Sequence, residues 1–340
     1  DEGWARYTFE QLGLPYTSID KDDLRHGNLR QRFDVILLPS SGGSLEQQIQ
    51  DVTTKFGPIA YERTKATPNL GTPASSPDIT GGPGFPGLAG IQRFLEEGGV
   101  VLSMANATRL VAESGIAREL EPHAAPTLFH PGSIVRAKAL RPQHPLLYGY
   151  PDVTMIFRGN GPLYQVEERD RGMIVLEYGT KAAPKPDTGA MLGMQASPAH
   201  ADTAARGHGD TGTGAATVAG KPASPGDAAK GDVAANAGDS ASAGSRNPAI
   251  SPTARDGSGA KADDYVVSGM VRNEGEIVGQ GAIFDVPVGK GRVLAFTFNP
   301  LHRFLSRATF PMVWNALMNW NALPGIPPAV GTGEVAARQQ

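Results

Sequence analysis

The stretch RFDVILLPS (residues 32–40), followed by GLAGIQRFLEEGG (87–99) and GVVLSMA (99–105), decides the fold class. Both outer runs are apolar without alternation and have strand length. That pattern suits parallel strands covered on two faces by helices. The middle run places Leu88, Ile91 and Leu95 on one helical stripe, with Gly98 as its stop. After the second strand, NATRLVAESG (106–115) reads as another helix, capped by Asn106. Strand, helix, strand, helix is the pattern of an α/β sheet.

Upstream, DEGWARYTFEQLGLPY (1–16) reads as a helix and then a strand. Asp1 is its expected cap, Trp4, Tyr7 and Leu12 its expected inner face, and Gly13 its end. DKDDLRHGN (20–28) repeats the helical logic over one turn. Residues 40–86 read as an irregular loop with a short helix in LEQQIQDVTTKF (45–56). Downstream of Pro126 the pattern becomes antiparallel, with short strands in SIVRAKAL (133–140), TMIF (154–157), PLYQV (162–166) and GMIVLEY (172–178). GAIFDVPVGKGRVLAFTFNP (281–300) reads as a hairpin turning at Gly289-Lys290-Gly291, and ATFPMVWNALMNW (308–320) as a closing amphipathic helix.

Between GMIVLEYG and DDYVVSGMV the composition collapses. Residues 179–264 contain no Phe, Tyr or Trp and consist mainly of Ala, Gly, Pro, Ser, Thr and Asp. Such a segment buries too little apolar surface to offset an ordering cost of about 1–2 kcal/mol per residue. It is expected to be a disordered insert inside one discontinuous domain, 1–178 plus 265–328, with a flexible tail at 329–340. Two independently folded halves are the alternative. Loop closure grows only logarithmically with length, so a sheet tolerates such an insert.

The chain has no Cys, which excludes disulfides, thiolate metal sites and a cysteine nucleophile. A net charge of −3 offers no basic field for nucleic acid, and no apolar run is long enough to span a bilayer. The first residue is Asp1, nothing resembles a signal peptide, and the expectation is a processed or truncated chain.

An open α/β sheet binds ligands at the carboxyl ends of its strands. Here those ends offer Ser40, Ser103 and Asn106, then Asn299, His302 and Arg303. Ser103 with His302 is a nucleophile–base candidate, although VLSMANA lacks the glycines of the G-x-S-x-G elbow. His302 and Arg303 are the candidate anion or carboxylate contact, with a structural ion pair as the plainer expectation. The other histidines, His26, His123, His130, His144, His200 and His208, show no H-x-x-E or H-E-x-x-H spacing. His144 reads as a turn residue, and GKGR lacks the Ser or Thr of a phosphate loop. At the other end, Asp1 and Glu2 complement a helix dipole.

EQLGLPYTSI (10–19), LRQRFDVILLP (29–39), GFPGLAGIQRFLEEGGVVLSM (84–104), FHPGSIVRAKAL (129–140), HPLLYGYP (144–151) and VPVGKGRVLAFTFNPLHR (286–303), in this order after DEGW, carry a resemblance. The chain resembles the domain that follows the catalytic domain in many bacterial zinc carboxypeptidase-like proteins of the carboxypeptidase A superfamily. That domain is similar to class I glutamine amidotransferases. The resemblance implies a flavodoxin-like, mostly parallel sheet flanked by helices, with additional antiparallel strands. It also implies a strand ahead of the DEGW helix, a covalently linked upstream peptidase domain holding the zinc, no cofactor in this chain, a secreted or periplasmic location and a possible homo-oligomer.

An amidotransferase carries its cysteine just after the strand that here reads GVVLSM, where this chain has Ser103, Met104 and Ala105. The expected function is therefore a non-catalytic accessory domain. The alternatives are a small-ligand module built on His302, Arg303, Asn299, Ser40 and Ser103, and a serine hydrolase using Ser103.

Overall fold

The apolar runs at 35–38 and 100–104 are adjacent parallel strands, with Val35 opposite Val100 and Leu38 opposite Ser103. The structure is a computed structural model that describes residues 1–72, 74–180 and 265–327. The expected insert beyond residue 180 and the tail from residue 329 lie outside the described residues.

The helices are α1 (Glu2–Gln11), α2 (Lys21–His26), α3 (Leu45–Gln50), α4 (Gly84–Glu96), α5 (Thr108–Ala112) and α6 (Phe310–Met318). The strands are β1 (Val35–Leu38), β2 (Val100–Met104), β3 (Glu121–His123), β4 (Ser133–Ala139), β5 (Val153–Arg158), β6 (Leu163–Gln165), β7 (Ile174–Tyr178), β8 (Val266–Ser268), β9 (Gly281–Val288) and β10 (Gly291–Phe296). The main sheet runs β1-β2-β10-β9-β7-β4-β5, with β8 also on β4, while β3 and β6 pair separately. It is a mixed α/β fold. Among the described strands parallel pairing is confined to β1, β2 and β10 and every other strand pair is antiparallel; one isolated parallel bridge joins Ala137 to Gly179. The expected predominance of parallel strands thus holds at one end of the sheet only, because the hairpin at Gly289 (φ 59) reverses the chain directly into β10.

Apolar side chains alternate across the parallel strands and fill two layers. Val100, Leu102, Met104, Leu294 and Phe296 face Ala5, Phe9, Met312 and Val313 of α1 and α6. Val101, Val293 and Ala295 face Ile91, Phe94, Leu95 and Val111 of α4 and α5. Gly90 lets α4 approach α2, since a Cβ there would stand 2.2 Å from the Leu24 carbonyl oxygen.

Strands from both sides of the insert share this sheet, so the halves do not form separate sheets. The peptide of Arg136 clasps the two flanks: its N–H donates to the Tyr265 oxygen at 2.8 Å and its carbonyl accepts from the Gly179 N–H at 2.8 Å.

Several local expectations are corrected. The expected strand after α1 does not form; residues 14–20 carry no regular structure, and no strand among the described residues pairs with them. The Asp1 side chain makes no capping hydrogen bond. The inner face of α1 is Ala5, Thr8 and Phe9, whereas Trp4, Tyr7 and Leu12 stay exposed, because the helix docks through the i, i+4 pair 5 and 9. Asn106 does not cap α5, which starts after a 3-10 turn with no side-chain cap. The short helix in 45–56 ends at Gln50, with a Ser44–Gln47 capping box at its start.

Candidate functional site at the strand ends

Strand β2 ends on Met104, and the next residue, Ala105, has φ 47. For an alanine this left-handed conformation costs roughly 1 kcal/mol. The chain then turns through residues 105–107 into α5. A strained strand-to-helix turn of this kind is how α/β enzymes present a nucleophile. Here the presented side chain is a methyl group.

Ser103 lies two residues earlier and is fully buried. Its Oγ is 3.1 Å from Thr108 Oγ1, and the Thr108 hydroxyl donates to the Phe296 carbonyl at 3.2 Å. Thr108 has one proton and spends it on Phe296, so Ser103 donates to Thr108. The Ser103 hydroxyl has neither access to substrate nor a base within hydrogen-bond reach among the described residues. The nucleophile–base pairing with His302 does not form.

His302 instead stacks on Phe157 of β5, with ring centroids 4.5 Å apart and planes 21° apart. Partial burial lowers its pKa below the usual histidine value, and the positive charge of Arg303 adds to the shift. Arg303 follows with φ 50 and is exposed, and no carboxylate among the described residues pairs with it. The expected structural ion pair is absent there among the described residues. Asn299 Oδ1 accepts from the Leu301 N–H at 3.0 Å, so this side chain closes its own turn. Ser40 is half-buried just beyond β1. His302, Arg303 and Asn299 therefore share one rim, whereas Ser103 is sealed beneath it.

Arg158, at the end of β5, fills the interior behind that rim. It is 1% exposed, donates to the Gly159 and Gly161 carbonyls at 2.7 and 2.9 Å, and lies 5.4 Å from the Tyr178 ring. Tyr178 in turn bonds Thr297 Oγ1 at 2.8 Å. His130 is 4% exposed, its Nε2 is 3.4 Å from the Tyr265 hydroxyl, and its Nδ1 has no partner among the described residues. Burial, aided by the charge of Arg158, pushes its pKa down to about 4. The sequence signal for Arg158 was present: a charged residue closing an apolar strand and followed by Gly-Asn-Gly.

A second polar centre lies across β9 and β10. Asp285 is fully buried, and its Oδ2 accepts from Arg292 at 2.7 Å, Arg141 at 3.1 Å and His144 Nε2 at 3.1 Å. The same arginines reach on to the Pro324 and Gly325 carbonyls at 2.7 and 3.2 Å. Burial alone would raise the Asp285 pKa, but His144 and Arg292 outweigh it and hold the carboxylate below its ordinary value. His144 Nδ1 accepts from the Leu146 N–H at 3.3 Å, which leaves the proton on Nε2 facing Asp285. His144 does begin a turn, as expected, but it is also a buried partner of Asp285, 141 residues away.

Among the described residues no group of three or more His, Asp or Glu is placed to hold a metal ion, and no helix is long and apolar enough to cross a membrane. No family model and no curated protein matches the chain. A solved structure described as a cytoplasmic protein from Salmonella typhimurium overlays with a TM-score of 0.40 at 10% identity, covering 93% of this chain and 85% of that one.

Proposed function

We propose that this chain is a non-catalytic accessory module of a zinc carboxypeptidase-like protein, with a flavodoxin-like, amidotransferase-like sheet. One observation supports the reading above the rest. The strained turn that would present a nucleophile is retained at Ala105, at an energetic cost, while the residue on it has no reactive group. The nearest hydroxyl, that of Ser103, is buried and its proton is committed to Thr108. In this reading the chemistry belongs to a covalently linked peptidase domain, and the present fold supports that domain, its substrate or its assembly.

The test combines two measurements. The purified chain is expected to bind no stoichiometric zinc, to release no C-terminal residues from peptides and to hydrolyse no glutamine. The longer polypeptide that includes upstream coding sequence is expected to bind zinc and to lose peptidase activity when this module is deleted. Stoichiometric zinc and carboxypeptidase activity in the isolated chain would overturn the proposal.

A second reading rests on the exposed Arg303 guanidinium beside the stacked His302 ring. A cation on this rim suits a small anionic ligand. Calorimetry with inorganic phosphate and citrate should then give heats that vanish in Arg303→Ala; identical traces for the two proteins would eliminate it.

A further inference from the structure

The outer face of α1 is aromatic rather than polar at one end. Trp4 and Tyr7 are each 41% exposed and pack edge-on, with ring centroids 5.8 Å apart. Tyr7 meets Phe304 edge-on at 5.2 Å, and the Arg307 guanidinium lies 4.8 Å from the centre of the Phe304 ring. These four side chains form one continuous strip from the first turns of α1 to the turn that follows β10. Leu305, next in the chain to Phe304, is 76% exposed. Large apolar groups gathered in this way on a surface mark a contact site, whereas single ones need no explanation.

The turn that carries half of the strip is strained. Arg303 and Phe304 are consecutive residues in the left-handed region, with φ 50 and 56, and neither is glycine. Each costs roughly 1–2 kcal/mol. The Leu305 N–H closes the turn on the His302 carbonyl at 2.9 Å, and the result leaves the Leu305 side chain in water. Burial of Leu305 does not repay the strain. Backbone strain of this kind points to a role beyond the fold itself.

Charge selects the partner. Arg303 and Arg307 are exposed, and neither forms an ion pair among the described residues. Glu2, in the first turn of α1, is already taken by Arg6. Two unpaired guanidinium groups therefore flank the aromatic strip, although the chain as a whole has a net charge of −3. Trp, Tyr and Arg are the residues that dominate binding energy at protein interfaces. A second copy of the chain would bring the same sign of charge across a two-fold axis, which repels. An anionic bilayer gains only about 1 kcal/mol per cation and needs a larger basic cluster. An acidic peptide segment satisfies both halves of the surface. Its carboxylates pair with the guanidinium forks, and an apolar side chain covers Leu305 and Trp4.

We propose that Trp4, Tyr7, Phe304 and Leu305, flanked by Arg303 and Arg307, form a docking surface for an acidic peptide segment of a partner protein, one that carries an aromatic or leucine anchor beside its carboxylates. The surface does not depend on the accessory-module reading, and it differs from a small-anion site at Arg303 in requiring the apolar groups as well.

Panning a displayed library of random peptides on the intact chain tests this. Enriched peptides are expected to be acidic and to contain Trp, Phe or Leu. In fluorescence anisotropy, synthetic copies should bind at least about tenfold more weakly to the double variant Arg303→Glu, Arg307→Glu and to Leu305→Asp. They should bind equally to Arg118→Glu, which changes an exposed arginine elsewhere. Trp4→Ala gives a further measurement of the apolar half, and circular dichroism confirms that each variant is folded. No enrichment, enriched peptides without acidic residues, or affinities that none of the strip variants alters would overturn the proposal. Co-sedimentation with phosphatidylserine vesicles that disappears in the double variant would overturn the peptide partner and assign the strip to a membrane surface. Inorganic phosphate that binds the parent chain and Leu305→Asp alike, with no peptide enriched, would leave the small-anion reading standing and remove the docking surface.

Discussion

The Oγ of Ser103 lies 3.1 Å from Oγ1 of Thr108, in a site without solvent contact. This hydroxyl pair ties the end of β2 to the start of α5 and continues to the Phe296 carbonyl of β10. A serine that donates inward has no role as a nucleophile. A fluorophosphonate probe is expected to leave the protein unlabelled. Ser103→Ala should cost about 1 kcal/mol in urea denaturation, the net value of one buried hydrogen bond. Labelling that disappears in Ser103→Ala would contradict this assignment.

The left-handed residue that follows β2 makes a prediction of opposite sign. Ala105→Gly removes the steric cost of φ 47 while adding backbone freedom to the unfolded chain. The first effect is the larger, so stability should hold or rise by up to about 1 kcal/mol. Ala105→Val puts a β-branched side chain in the same conformation and should destabilise. The midpoints of the two variants in one denaturation series decide the matter.

The Asp285 centre should behave as a buried charge network. Asp285→Ala leaves Arg141 and Arg292 with uncompensated charge next to a buried histidine. Removing one member of a buried pair costs about 3–5 kcal/mol. Because Arg141 and Arg292 also hold residues 324–325, limited proteolysis near that segment should accelerate in the variant. A loss below 1 kcal/mol would refute the network.

His130 supplies a pH dependence. Its pKa in the folded protein is about 4 against about 6.5 unfolded, so the folded state favours the neutral ring. The corresponding stability is fully present above pH 6.5 and is lost as pH falls from 6.5 through 4. After allowance for solvent screening the expected loss is ~2 kcal/mol. His130→Gln should flatten this part of the stability curve, which pH-dependent urea midpoints will show.

The parallel end of the sheet was legible in the sequence because 35–38 and 100–104 are unbroken apolar runs of strand length, although only 100–104 is buried throughout and 35–38 lies at the sheet edge with Ile36 alone buried. The hairpin at Gly289 was equally legible from its turn residues. The fate of residues 14–20 was not, since a strand exists only with a partner, and the segment lacks one here. Nor did the sequence reveal that β6 leaves the main sheet for β3, because pairing partners leave no mark on periodicity. At the candidate site, chain order put Asn299, His302 and Arg303 within one turn after β10, where the His302 N–H donates to the Asn299 carbonyl. It could not tell that Ser103 points into the core, because a strand buried on both faces offers no polar alternation to show direction. The His144–Asp285 contact was invisible for a simpler reason: nothing local links residues 141 positions apart.

The clasp at Arg136 has a consequence for how this fold tolerates change. Exit and re-entry of the chain at Gly179 and Tyr265 are fixed to opposite sides of a single residue's peptide groups. Whatever is spliced between them meets a doorway whose two posts the sheet itself has already set, so cargo of widely different length can be exchanged there without renegotiating a strand register. The position is a natural port for grafting a guest domain or reporter.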